Sequence, residues 1–214
     1  MTLVLHGYWR SGTSYRTRIA LNLKGLDYEV RPVNLLSREQ AGPAYRTLNP
    51  QGLVPALEAD GHVLTQSAAI LEWLEETHPI PPLLPKDAAG RAMVRAMAAL
   101  VGTDIHPLNN LRVLRSLKHD LGATDPQISA WEARWINDGF AALELLIGEH
   151  GDGFCHGSGP TLADCYLVPQ VYSALRFNVD LEPFPLIRAV DERTRALPAV
   201  AAAHPDLQPD AKPG

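Results

Sequence analysis

At 214 residues, with 46% hydrophobic and 20% charged side chains, the chain holds enough apolar material to bury a core in one large domain or two small ones. A formal net charge of −5 and the lack of a basic run argue against general nucleic-acid binding. No apolar stretch is long enough to span a bilayer, and the first residues lack the charged start and apolar core of a signal peptide. The two cysteines, Cys155 and Cys165, are not in Cys-x-x-Cys spacing and fit a reduced cytoplasmic protein better than a disulfide scaffold.

The first eighty residues alternate strand and helix signals. Leu3 to Tyr8 reads as a strand, and Thr13 to Lys24 as a helix stopped by Gly25. Tyr28 to Val33 reads as a second strand, and Gln40 to Leu48 as a weak helix or irregular segment. Leu53 to Glu58 and His62 to Leu64 form a hairpin across Asp60-Gly61, a favoured two-residue turn. Gln66 to Thr77 reads as a helix with Ile70, Leu71 and Leu74 on one side. This βαβαββα order predicts a small mixed sheet with packed helices, the thioredoxin-like arrangement, over residues 1–80.

The proline cluster from Pro79 to Pro85 cannot continue a helix and reads as a stiff connector, with residues 81–87 as the linker. Beyond it strand signals almost vanish. Helical spacing over 91–117, 128–149, 162–175 and 185–197 predicts an all-α domain over residues 88–214. Thr161 and Asp164 have the spacing of a structural capping box. The polar, proline-rich tail after His204 reads as mobile. Trp73, Trp131 and Trp135 fall among aliphatics at helical spacing and read as core, and both cysteines read as packing thiols.

Three segments carry candidate chemistry. In the first, Pro55 cannot donate a ladder hydrogen bond, so its strand must lie at an edge or turn there. A cis bond at that position would aim the N–H and C=O of Val54 outward, toward an extended peptide. Gln66-Ser67 then places N–H groups and a hydroxyl at a helix start, which suits a carboxylate. Together they read as a receptor for a small acidic peptide, against the plainer alternative of a strand, hairpin and helix cap without a ligand. In the second, the turn from Tyr8 to Arg18 puts Ser11, Thr13 and Ser14 before a helix N-terminus, a natural anion site. An unperturbed thiol has a pKa of ~8.5, and lowering it by one unit takes roughly 1.4 kcal/mol, within reach of one hydroxyl and the helix dipole. The same hydroxyls serve equally as helix caps.

The third segment runs from Asp104 to Arg112, where Pro107 forces a kink or a local break. His106 with Asn110, and Asn109 with Arg112, have the spacing of two outward polar strips. A histidine beside a kink is more often a structural hydrogen-bonder than a ligand. Arg10, Arg112 and Arg176 can each fork onto a carboxylate or make a surface ion pair. Arg16 and Arg18, inside the first helix, read as structural or interface residues. The eight histidines are scattered, so no metal is expected.

The run Asn-Pro-Gln-Gly-Leu-Val-Pro-Ala-Leu followed by Gln66-Ser67 resembles the N-terminal domain of glutathione transferases, and the resemblance extends over nearly the whole chain. The turn Arg10-Ser11-Gly12-Thr13-Ser14-Tyr15-Arg16-Thr17-Arg18 is similar to the zeta class, whose usual Ser-Ser-Cys motif is here Ser11-Gly12-Thr13. That class includes maleylpyruvate and maleylacetoacetate isomerases. The resemblance implies glutathione as cofactor, contacted by Gln51, Val54, Pro55, Gln66 and Ser67, with His106 and Asn110 as further contacts to it or to the substrate. It implies Ser11, Thr13 and Arg10 as catalytic, with either hydroxyl facing the thiolate, and Arg10, Arg112 and Arg176 as substrate-binding. The expected reaction is cis–trans isomerisation of a maleyl-type dicarboxylic acid, maleylpyruvate before maleylacetoacetate, by a cytoplasmic homodimer. A general glutathione transferase and a non-catalytic interaction module on the same fold are the competing readings.

Overall fold

The computed structural model describes residues 3–211. The chain divides into two compact units, one of residues up to Leu83 joined by the segment from Ala196 onward, the other of Leu84–Arg195. The first unit holds a four-stranded sheet in the order β2-β1-β3-β4, from β1 (Leu3–Gly7), β2 (Tyr28–Pro32), β3 (Ala56–Ala59) and β4 (His62–Thr65). β1 pairs parallel with β2 and antiparallel with β3, and β3 pairs antiparallel with β4. The expected hairpin is present. Asp60 and Gly61 both take positive φ, 49° and 79°, as its tight turn requires.

Helices α1 (Gly12–Leu23) and α3 (Ser67–Thr77) pack on each other, and a short α2 (Pro43–Leu48) follows a single 3-10 turn. Leu5 and Leu57 from the sheet, Ile19 and Leu21 from α1, and Ile70, Leu71 and Leu74 from α3 are all buried. Gly25 ends the first helical stretch with φ +67°, a conformation that costs glycine nothing. Gly7 does a different job: a Cβ there would meet the Ser14 side chain at 3.0 Å, so its bareness lets the start of α1 close over the end of β1. The connector is held by a buried ion pair. Lys24 Nζ donates to Glu75 at 2.6 Å and to the Pro81 carbonyl at 2.7 Å, while the Leu83 N–H donates to the same carboxylate at 3.0 Å.

In the second unit the expected helices are present with shifted bounds: α4 (Ala88–Ala99), α5 (Leu111–His119), α6 (Asp125–His150), α7 (Leu162–Arg176) and α8 (Pro185–Arg195). The stretch 91–117 is not one helix. α4 runs into a π-helical turn, Leu100–Ile105, and residues 106–110 form a break before α5, as Pro107 demands. Asp164 closes the capping box, accepting from the Thr161 N–H and hydroxyl, each at 2.8 Å, and also takes the Cys155 N–H at 2.9 Å. Both cysteines are free and buried, as packing thiols should be.

Three expectations need correction. The chain from Ala196 onward belongs with the first unit rather than with the helical domain, and includes α9 (Pro198–Ala202), which packs on α1. The tail after His204 is structured through Ala211, with a 3-10 turn at Pro205–Leu207; Gln208 Nε2 donates back to the His204 carbonyl at 2.8 Å, and the Ala211 N–H donates to the Gln208 carbonyl at 3.0 Å. The three tryptophans are half-buried rather than core; the Trp131 indole N–H donates to the Leu108 carbonyl at 2.9 Å.

Candidate functional site

The first unit gathers most of the residues that the sequence singled out. β1 ends at Gly7 and α1 starts at Gly12, so Tyr8 to Ser11 form the turn that delivers the chain to the helix N-terminus. Ser11 is the N-cap. Its Oγ accepts from the Ser14 N–H at 3.3 Å and lies 2.9 Å from Thr13 Oγ1. Thr13 in turn donates to the Val54 carbonyl at 3.0 Å.

The direction of this chain follows from proton counting. A carbonyl only accepts, so the single proton of Thr13 goes to Val54; the contact between the two hydroxyls is then a donation from Ser11 to Thr13. The Val54 carbonyl is therefore not wholly free for a peptide, contrary to the expectation from the sequence, although a carbonyl oxygen can accept a second bond. Val54 precedes the cis bond to Pro55. The loop before it is tied down: Tyr45 Oη donates to the Leu53 carbonyl at 2.8 Å and Asn49 Nδ2 donates to the same oxygen at 2.7 Å. Burial pushes the Tyr45 phenol up to about 12, since the ionised form would lose both water and its role as donor.

Gln66 sits immediately before α3 with φ 67° and ψ 114°, a backbone conformation that L side chains rarely adopt. Such outliers cost roughly 1–3 kcal/mol and concentrate at functional sites. The Gln66 amide donates to the Gln51 side-chain oxygen, which brings two of the expected cofactor residues together. Ser67, the first residue of α3, is buried, and its Oγ accepts from Arg16 Nη1 at 2.9 Å. With its acceptor side held by a guanidinium, the hydroxyl proton is turned to the donor role that a carboxylate at a helix N-terminus needs. Arg16 is 3% exposed and its guanidinium stands behind an expected ligand contact. Nothing local in the sequence signals it, because the two residues are 51 positions apart.

The second unit carries the remaining candidates. His106 ends the π-helical turn, half-buried, with its N–H donated to the Val101 carbonyl at 2.9 Å. Asn110 is the N-cap of α5: its Oδ1 accepts from the Arg112 N–H at 3.1 Å. The two outward polar strips expected over 106–112 do not form, because residues 106–110 are not helical; Asn109 instead is buried, with its amide directed to the Glu132 carbonyl at 3.5 Å. Arg112 is exposed in the first turn of α5. Arg176, the exposed last residue of α7, lays its guanidinium 5.4 Å from the Phe177 ring centre and 5.9 Å from that of Tyr172. Burial raises the Glu132 carboxyl above the usual range, and the Arg176 charge opposes that rise. Among the described residues no cluster of His, Cys, Asp or Glu forms a metal site.

Residues 10–77 match the family model for the glutathione S-transferase N-terminal domain. A maleylpyruvate isomerase from Ralstonia sp is 55% identical over 208 residues, covering 96% of this chain and 98% of that protein. The maleylacetoacetate isomerase of Pseudomonas aeruginosa is 52% identical over 209 residues, covering 96% and 97%. Among solved structures, a holo maleylpyruvate isomerase described as a bacterial zeta-class glutathione S-transferase superposes with a TM-score of 0.96 at 54% identity, covering 98% of this chain and 100% of that one. The maleylacetoacetate isomerase of Anaeromyxobacter dehalogenans, solved with glutathione in its active site, gives 0.90 at 51% identity over 99% and 98%. At these identities and coverages the chain belongs to the zeta class of the glutathione transferase family.

Proposed function

We propose that this chain is a glutathione-dependent cis–trans isomerase of a maleyl-type dicarboxylate, with maleylpyruvate the first substrate to test and maleylacetoacetate the second. The observation that carries the reading is the Arg16–Ser67 contact at the start of α3, in the same unit as the hydroxyl chain Ser11–Thr13–Val54. The relatives at 55% and 52% identity, named for these two isomerisations, support the same choice.

The donor set fits glutathione. The Ser67 hydroxyl and the N-terminal amides of α3 suit its γ-glutamyl carboxylate, Gln66 and Gln51 flank that group, and Val54 before Pro55 offers backbone to the cysteinyl portion. When bound, glutathione supplies a thiolate sulfur that adds reversibly to the cis double bond, so that the bond can rotate. The protein does the rest. Ser11 turns its hydroxyl from Thr13 toward the sulfur and, with the α1 N-terminus, holds the thiol deprotonated near neutral pH. Thr13 keeps Val54 in place. Arg10 in the first unit and Arg112 and Arg176 in the second are assigned to substrate carboxylates and to the negative charge that develops beside them. His106 and Asn110 are assigned to contacts with glutathione or substrate.

We also read the protein as a cytoplasmic homodimer. Its free thiols suit a reducing compartment, and among the described residues no helix is long and apolar enough to cross a membrane. The deciding experiment is maleylpyruvate isomerisation by the purified chain with and without glutathione. Turnover that survives exhaustive removal of glutathione overturns the reading. Conjugation of an aryl halide without isomerisation transfers the protein to the general transferases. No glutathione binding by calorimetry leaves the non-catalytic module.

A further inference from the structure

The turn that carries Arg10 and Ser11 is held at Trp9 by groups from outside it. The Tyr8 N–H donates to Ser14 Oγ at 3.3 Å and the Tyr8 carbonyl accepts from the Ser11 N–H at 3.0 Å, so Tyr8 is satisfied locally. Trp9 is different. It lies beyond the end of β1 and before α1, so neither a ladder nor a helix takes its backbone groups. Its N–H donates to Asp210 Oδ2 at 3.0 Å, a residue 201 positions away, and its carbonyl accepts from Arg18 Nη2 at 2.9 Å. Both partners are charged groups, and bonds of this kind are about twice as strong as neutral ones. The peptide planes before and after Trp9 are therefore each clamped, which fixes the direction in which the chain enters Arg10.

The two clamps are mechanically one. Arg18 is 2% exposed and its Nε donates to the Ala203 carbonyl at 3.0 Å, so one guanidinium ties the active turn to the C-terminal segment that also supplies Asp210. That segment has a separate anchor, Asn22 Nδ2 to the Ala199 carbonyl at 2.8 Å, and an internal brace, Gln208 Nε2 to the His204 carbonyl at 2.8 Å. The Arg10 guanidinium packs 5.3 Å from the Trp9 ring centre, so the position of Trp9 carries over to that of Arg10.

We propose that the segment Ala196–Ala211 is a positioning strap for the active turn, with Asp210 and Arg18 as the positioning residues that set Trp9 and thereby place Arg10 and Ser11 for the isomerisation. This rests on the function proposed above for what Arg10 and Ser11 do; the strap itself rests on the contacts to Trp9 alone. In this account neither Asp210 nor Arg18 touches substrate, and their effect reaches the reaction only through the geometry of the turn.

The test uses the full-length chain with Asp210→Ala, Asp210→Asn and, as a control, Asn22→Ala, which loosens the strap at a point remote from Trp9. Hydrogen exchange followed by mass spectrometry on the peptide covering Trp9 reports the clamp without glutathione or substrate. Expected for Asp210→Ala are at least tenfold faster exchange of that peptide, an unchanged urea midpoint, a roughly tenfold fall in kcat with KM for glutathione within threefold, and an upward shift in the pH at which bound glutathione ionises. Asp210→Asn, which retains an oxygen acceptor, should recover most of the exchange protection and of kcat. Asn22→Ala should lower the urea midpoint and leave kcat unchanged. Wild-type exchange at Trp9 in Asp210→Ala, or a fall in the urea midpoint with kcat of the folded protein intact, overturns the proposal. If the wild-type chain neither binds glutathione nor isomerises the substrate, the functional reading fails, and the exchange result alone still decides whether the strap holds the turn.

Discussion

Thr13 donates its hydroxyl to the Val54 carbonyl at 3.0 Å, which joins the thiolate-activating turn to the backbone expected to receive the cofactor. The proton spent there is the only one that Thr13 owns, so the two candidate hydroxyls separate by role. Ser11→Ala should raise the pKa of the bound thiol by about one unit, the equivalent of roughly 1.4 kcal/mol. Thr13→Val should leave that pKa in place and weaken glutathione binding about fivefold, as loss of one hydrogen bond of about 1 kcal/mol implies. Thiolate absorbance, titrated against pH on each saturated variant, checks both. A thiolate shift in Thr13→Val with none in Ser11→Ala reverses the roles.

The Arg16–Ser67 contact predicts coupling rather than two independent losses. Ser67→Ala removes the donor to the carboxylate, and Arg16→Gln removes the charge that orients it; each should weaken glutathione binding about tenfold. Their combination should cost little more than Ser67→Ala alone, a coupling of about 1 kcal/mol in a double-mutant cycle measured by calorimetry. Additive losses would mean that Arg16 acts on the carboxylate by another path. Thermal unfolding of Arg16→Gln separates a binding effect from damage to the buried site.

Features written in adjacent residues were legible before the structure was known. Asp60-Gly61 had to turn, Gly25 had to end a helix, Thr161 and Asp164 had to cap one, and Pro55 had to interrupt a strand, because each follows from dihedral and hydrogen-bonding limits of a few residues. The resemblance then supplied roles for positions whose chemistry alone left two readings open. What stayed hidden depends on distant pairing. Arg16 meets a serine 51 positions on, and Trp9 meets an aspartate 201 positions on. The tail looked mobile because its composition is polar, while its own polar side chains hold it: Gln208 donates to the His204 carbonyl and Asp210 accepts from the distant Trp9 N–H. The polar strips near Pro107 failed for a related reason. A spacing of three or four places residues on one face only while the helix persists, and here it stops at Ile105.

Tyr45 provides a pH signature for the loop that presents Val54. Its phenol ordinarily ionises near 10 and is held up to about 12 in the fold by burial, against a smaller opposing effect of Asn49. The folded state therefore keeps its proton after the unfolded state has lost it. Between pH 10 and 12 the unfolded chain binds fewer protons, and this residue's contribution to stability falls as pH rises. Tyr45→Phe should remove one late step from the tyrosinate absorbance titration and flatten the loss of stability across that window. It should also weaken glutathione binding only a few-fold, because Asn49 still holds the Leu53 carbonyl. Loss of amplitude near pH 10, with the late step intact, would mean that burial does not hold the Tyr45 phenol up.

Arg176 offers a test that separates substrate from cofactor. Its guanidinium is exposed at the end of α7, steadied by two aromatic rings, and it opposes the burial-driven rise of the Glu132 carboxyl. Arg176→Ala should lower kcat/KM for the dicarboxylate about 100-fold, close to 2.7 kcal/mol of transition-state stabilisation, with glutathione affinity within twofold of wild type. Arg176→Lys should recover only part of this, since an ammonium keeps the charge and loses the planar fork. Deleting the charge also removes the influence that opposes burial at Glu132, so the carboxyl should titrate higher in Arg176→Ala, as observed by carbon NMR of labelled glutamate. A raised Glu132 with unaltered turnover would place Arg176 in the structure of the second unit and outside the chemistry.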